Sequence, residues 1–155
     1  MPLFGRGLRH PFYPALQLAP AARAKKRCSA IAGTFRELTE AARAGVEASR
    51  AVFPLHSPMR PFLEEEEREE LWRMFGVPAI AILLNGRGQA VGWECEMQDG
   101  LHLAPDYSAG LLFGDVECST CDCGRAGPRL VRVPSRYDRC VPIAAFPRRA
   151  GAGVR

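Results

Sequence analysis

Residues 61–96 read PFLEEEEREELWRMFGVPAIAILLNGRGQAVGWECE, and this stretch decides the fold. Its first part predicts a helix over about 62–75. Pro61 suits a first turn. Glu64 to Glu67 sit where the helix dipole favours negative charge. Leu63, Leu71, Trp72, Met74 and Phe75 supply an apolar side, and Gly76 is a natural C-terminal cap. The glutamate run reads as the solvated face of that helix, not as an acidic metal site. VPAIAILL at 77–84 then reads as a buried strand. Asn85-Gly86 signals a tight turn, and QAVGWECE at 89–96 returns as a second strand. Helix, strand, turn and strand in this order predict an α+β fold: two helices packed on a small mixed or antiparallel sheet.

The second helix lies upstream. In TFRELTEAARAGVEASRAV, Thr34 and Glu37 have capping-box spacing, and Phe35, Leu38, Ala42 and Val46 recur at helical intervals. The expected span is 34–52, with Pro54 and Pro58 beyond its end. Residues 1–33 show no clear period and no acid, and Pro11, Pro14 and Pro20 interrupt any apolar run, so no targeting peptide is read there. They are expected to form a basic, poorly ordered arm. One α+β domain is expected over 34–145, and a flexible tail over 146–155. The expected core is Phe35, Leu38, Leu71, Trp72, Phe75, Ile80, Ile82, Leu84, Val91 and Trp93.

The 155 residues carry a net charge of +4, divided into blocks of +7 (residues 1–60), −6 (61–102) and +3 (103–155). No apolar run approaches the ~20 residues of a membrane helix. The basic ends and a cysteine cluster allow a nucleic-acid-binding zinc module as an alternative, but no recognisable module accompanies them. The expected location is cytoplasmic, with reduced thiols.

Three of the six cysteines fall within CSTCDCGRAGPRL at 118–130. Cys121 and Cys123 sit on same-side positions of a turn, with Gly124 to let the backbone bend. That geometry suits one zinc, which takes four ligands, with sulfur at about 2.3 Å and nitrogen at about 2.0 Å. CEMQDGLH at 95–102 is the best source of the other two, because a strand–turn–strand of that length brings a thiolate and an imidazole to the same end. The ligand set is therefore Cys95, His102, Cys121 and Cys123, with Cys118 in reserve and a four-cysteine set of 95, 118, 121 and 123 as the alternative. A redox pair at Cys118 and Cys121 has C-x-x-C spacing but no thioredoxin-like surroundings. Cys28 and Cys140 are left without a role.

The motifs Phe-Gly-Val-Pro after a Glu-rich helix, then WEC, GLHL, and CDCGR with GPRL, make residues 58–139 resemble part of the phenylacetate–coenzyme A ligase family. Those are AMP-forming enzymes that activate a carboxylate as an acyl-adenylate and pass it to a thiol. The resemblance implies the later part of the large adenylate-forming domain. It also implies a structural zinc on Cys95, His102, Cys121 and Cys123, which coincides with the set read from spacing. The departures are as informative. Where the family carries Tyr-Gly-x-x-Glu to help hold magnesium and ATP, this chain reads LLNGRGQAVG. The phosphate loop has no counterpart, and no Lys follows Lys26. SRYDR echoes the family's hinge at Arg136 and Asp138 and departs at Ser135 and Arg139. Adenylation must neutralise a pyrophosphate leaving group, and little here does so. The expectation is a zinc-stabilised, shortened relative without independent adenylating activity, binding or regulatory, with a ligase or acyl carrier as partner. The enzymatic alternative is an acyl- or aryl-acid-activating ligase, whole or split, using ATP, Mg²⁺ and coenzyme A.

Overall fold

The computed structural model describes residues 9–105, 107 and 115–132. Among the described residues, two α-helices, a short 3-10 turn at Ala21–Arg23 and an eight-stranded mixed sheet make up the α+β fold expected. In chain order the elements are β1 (Leu18–Pro20), β2 (Arg27–Gly33), α1 (Phe35–Arg43), β3 (Glu47–His56), α2 (Glu65–Phe75), β4 (Ile82–Leu84), β5 (Ala90–Glu94), β6 (Leu101–Leu103), β7 (Asp115–Glu117) and β8 (Arg129–Val131). The sheet order is β1-β2-β3-β4-β5-β6-β8-β7. The first four neighbours pair in parallel, and from β4 onward every pairing is antiparallel. Among the described residues, no helix is long and apolar enough to cross a membrane.

The stretch expected to be a loose arm supplies β1 and β2. Ala30, Ile31, Ala32 and Gly33 are all buried, with β2 paired to β1 on one side and β3 on the other. A short run of small apolar residues buried on both faces carries no period-two signal, so its place is set by its neighbours. The helix expected over 34–52 ends at Arg43. Its capping box is present as read: the Thr34 hydroxyl accepts from the Glu37 amide, and the Glu37 carboxylate accepts from the Thr34 amide at 2.7 Å. Gly45 at φ +81° then turns the chain out of the helix. Residues 47–56 run on as β3, whose alternate side chains serve the two faces of the sheet. The alanine-rich sequence had fitted both periods.

Helix α2 starts at Glu65, later than expected, because Leu63 is drawn into the core and the Glu64–Glu67 capping box sets the first turn. Gly76 caps it in the left-handed conformation, φ +66°. The strand expected over 77–84 is regular only at 82–84, although Ala79 already bridges Val52 of β3. The hairpin turn is wider than Asn85-Gly86 alone: Asn85 Oδ1 accepts from both Arg87 and Gln89 amides.

The core has two sides. On the helix side, Ile31, Val52, Leu83, Val91, Leu101 and Leu130 meet Leu38 of α1 and Leu71 of α2. On the other, Ala30, Phe53, Leu55, Ile80 and Ile82 are covered in part by Tyr13 and Leu16 from the N-terminal segment. Trp72, expected in the core, is 54% exposed on the outer face of α2.

His10 is fully buried against Phe53 and Tyr13. Burial drives its pKa from 6.5 down to about 4, with the Glu94 backbone offsetting part of the effect and Arg125 adding to it. The folded state thus binds this proton less readily than the unfolded chain. The associated stability is whole above pH 6.5 and is lost as pH falls towards 4. Between pH 7 and pH 5, a His10→Phe protein should lose about 2 kcal/mol less stability than the wild type, read by urea unfolding. Equal losses in the two proteins would show that His10 does not carry the effect.

Candidate metal centre

Three local devices bring the cysteine cluster together. The β5–β6 register pairs Trp93 with His102, so Cys95, two residues past Trp93 on the same face, leaves its strand beside the imidazole. Gln98 at φ +53° and Gly100 at φ +79° reverse the chain between them. A Cβ at Gly100 would stand 2.5 Å from the Leu130 carbonyl oxygen, so only glycine fits where β8 passes. Next, β8 pairs Arg129 with His102, which leads the knuckle loop to the same end of the sheet. Within that loop the Gly124 amide donates to the Cys121 carbonyl at 2.8 Å, and the Cys121 amide donates to the Arg125 carbonyl at 3.3 Å.

The result is the set read from the sequence. One ligand atom each from Cys95, His102, Cys121 and Cys123 lies within 4.8 Å of all the others. Cys95 Sγ and Cys121 Sγ are 3.8 Å apart, and Cys123 Sγ and His102 Nε2 are 3.5 Å apart. A tetrahedron built on zinc's bond lengths has edges of about 3.8 Å between sulfurs and about 3.6 Å between sulfur and nitrogen. The two measured edges match, and the sulfur–sulfur edge is far too long for a disulfide. The donors fit a metal ion by type, number and spacing.

The surroundings act on Cys95 and Cys123 in opposite directions. Burial pushes the Cys95 thiol up to about 12, with Cys121 and Cys123 adding to the rise, so an isolated thiolate is disfavoured there. Burial also opposes ionisation of Cys123, but the backbone and guanidinium of Arg125 outweigh it and hold this thiol below its ordinary range. Burial, Arg129 and Arg125 keep His102 neutral, the form that ligates. Arg129 is itself buried. It donates to the Asp99 carbonyl oxygen at 2.7 Å, to Asp99 Oδ2 at 2.9 Å and to Glu117 Oε2 at 3.2 Å.

Cys118, the reserve ligand, is exposed and outside the group of four. Cys28 is half-buried, its thiol 3.5 Å from the Glu47 carbonyl oxygen. Cys140, Arg136 and Asp138 lie outside the described residues.

No family's sequence profile matches the chain, and no curated protein is similar to it. What the site does must come from its own geometry.

The sequence reading missed the supports. Arg125 lies within the quoted CDCGR motif, but nothing there marked its bond to Glu96 at 2.8 Å. Glu94 is the larger omission. Its buried carboxylate accepts from Arg68 of α2 at 2.7 Å and from the Ala81 amide at 2.8 Å, and Arg68 also donates to the Ala79 carbonyl at 2.6 Å. The residue before Cys95 is thereby anchored to the helix layer. Two charged residues in the sequence cannot reveal that they face each other across layers.

A second candidate site lies at the carboxyl ends of β2, β3 and β4, where ligands gather in open sheets with parallel strands. A cleft of about 560 Å³ is lined by Thr34, Arg36, His56, Arg60, Glu67 and Asn85, among others. His56 is 8% exposed and donates from Nδ1 to the Arg60 carbonyl at 3.2 Å, while its Nε2 has no partner among the described residues. Both arginines are paired, Arg36 with Glu40 and Arg60 with Glu67.

Removing one partner of a buried ion pair strands the other charge. Glu94→Ala should therefore lower the unfolding free energy by about 3 kcal/mol, whereas a paired Arg68→Met, Glu94→Gln protein, whose amide oxygen can still accept from the Ala81 amide, should lose less. Urea titration decides; a single variant as stable as wild type would remove the pair from any structural role.

Proposed function

We propose that the chain is a zinc-clamped, ligase-derived binding module without adenylating activity of its own. One observation carries the metal assignment: three cysteines and one histidine bring four donors within 4.8 Å of one another, two of the edges between them at tetrahedral length. Four protein donors close the coordination shell. Catalytic zinc keeps a position open for water or substrate, and structural zinc does not. Zinc on Cys95, His102, Cys121 and Cys123 would tie the end of β5, β6 and the knuckle loop into one unit. The metal then contributes folding energy, not chemistry.

The ligase ancestry rests on the motifs around these ligands. The non-catalytic reading rests on what the cleft lacks. Among the described residues, no lysine lines it, Arg60 is held by Glu67, and the exposed Arg36, loosely beside Glu40, is the one arginine left to meet a phosphate. Charge left on pyrophosphate would go largely uncompensated. The role that remains is recognition, with a cytoplasmic ligase or acyl carrier as the partner class. The second reading, an acyl- or aryl-acid-activating enzyme or one piece of it, is favoured by the cleft at the carboxyl ends of β2–β4 and by the unpartnered His56 Nε2.

Two measurements separate these readings. Elemental analysis of the purified chain should give one zinc, and Cys95→Ser and Cys121→Ser should each lose the metal and unfold at lower urea, the β6–β8 end of the sheet first. A purified chain that holds no zinc, or variants that lose the metal yet match the zinc-loaded wild type in urea stability, would refute the clamp. Separately, millimolar ATP with Mg²⁺ should not drive pyrophosphate exchange with aryl or acyl acids. ATP binding alone would raise the unfolding temperature by linkage and would fit a nucleotide-binding module. Exchange activity would establish the enzyme.

A further inference from the structure

We propose that the segment His10–Leu16 is a removable wall of the metal centre, held in place by the metal and in turn controlling how fast the metal leaves. This rests on the zinc reading above.

The segment folds on itself through two turns: the Tyr13 amide donates to the His10 carbonyl at 3.1 Å and the Leu16 amide to the Tyr13 carbonyl at 3.0 Å. It lies on the sheet face that the helices leave open, with His10, Tyr13 and Leu16 against the Phe53 side of the core. From there it reaches all three pieces of chain that supply ligands. The Phe12 ring meets the His102 imidazole edge-on, at 5.0 Å and 87°. The Arg125 guanidinium, two residues past Cys123, stacks over Phe12 at 4.2 Å. The Tyr13 hydroxyl donates to Glu96, next to Cys95, at 3.3 Å, and Glu96 also accepts from Arg125 at 2.8 Å.

These contacts need the three pieces in one arrangement. The knuckle loop has few backbone hydrogen bonds of its own, and without a metal its sulfurs have no common centre. Loosening it moves Arg125, which ends both the stacking over Phe12 and the pair with Glu96. In the other direction, Phe12 packs edge-on against the buried His102 and helps keep water from a departing ligand. Coupling of this kind is reciprocal: whatever factor the wall adds to metal retention, the metal adds to docking of the wall. An edge-on aromatic contact and a partly buried cation–π contact, lost together, correspond to about a tenfold change.

The test uses the full zinc-loaded chain. Phe12→Ala should still hold one zinc but pass it to a colorimetric chelator about ten times faster than wild type, and Phe12→Tyr should restore the slow rate. Stripping the metal from the wild type should speed amide exchange at Tyr13 and Leu16 at least tenfold while β2 and β3 remain protected. If the stripped chain unfolds throughout, the release rates alone decide. One zinc per chain with equal release from wild type and Phe12→Ala overturns the coupling and leaves the zinc reading intact. A chain that takes up no zinc at all overturns both.

Discussion

The buried pair between Arg68 and Glu94 fixes the relation of the two layers, and the metal centre stands on it. The pair spans α2 and β5 where the sheet changes from parallel to antiparallel pairing. There the backbone at 79–81 is not yet in a regular ladder, and its polar groups need partners. Side chains supply them: Arg68 donates to the Ala79 carbonyl and Glu94 accepts from the Ala81 amide. Taking two charges out of water is costly, and these hydrogen bonds offset that cost. The next residue along the chain is Cys95, so the first ligand leaves a strand whose end is locked in place.

The sheet is stabilised differently at its two ends. Strands β2 and β3 are long, and both their faces are buried. Strands β6, β7 and β8 have three residues each, too few to hold together by pairing alone. The buried Arg129, reaching out to the exposed Asp99 and Glu117 carboxylates, and the four donors of the candidate metal centre link these short strands. A chain with one modest core gains most from such a staple.

What could be read from the sequence followed from local chemistry. The α2 helix with its Gly76 cap, the capping box of α1, the hairpin over 82–94 and the four ligands all depend on residues close together or on donor types that have few other uses. What could not be read depends on neighbours distant in sequence. Residues 30–33 are small and aperiodic, and they become a central strand because β1 and β3 flank them. Residues 44–52 fit helix and strand periods alike, and the left-handed Gly45 settles the choice. Trp72 looked like core because it is large and apolar, yet the helix faces inward through Leu71. Phe12 and Tyr13 gave no signal, since aromatic residues among prolines carry no address.

A metal on the four donors would pin His102 and Cys121, the two ends of the segment between them, and among its described residues β7 adds three residues of pairing. Once the ends of a loop are fixed, doubling its length costs only about 0.6 kcal/mol in closure entropy. The interval between the second and third ligands is thus where this chain can gain or lose residues most cheaply. A metal held on these donors would clamp the short strands and also free that interval to vary in length, so that a surface for new partners could grow there without disturbing the strands on either side.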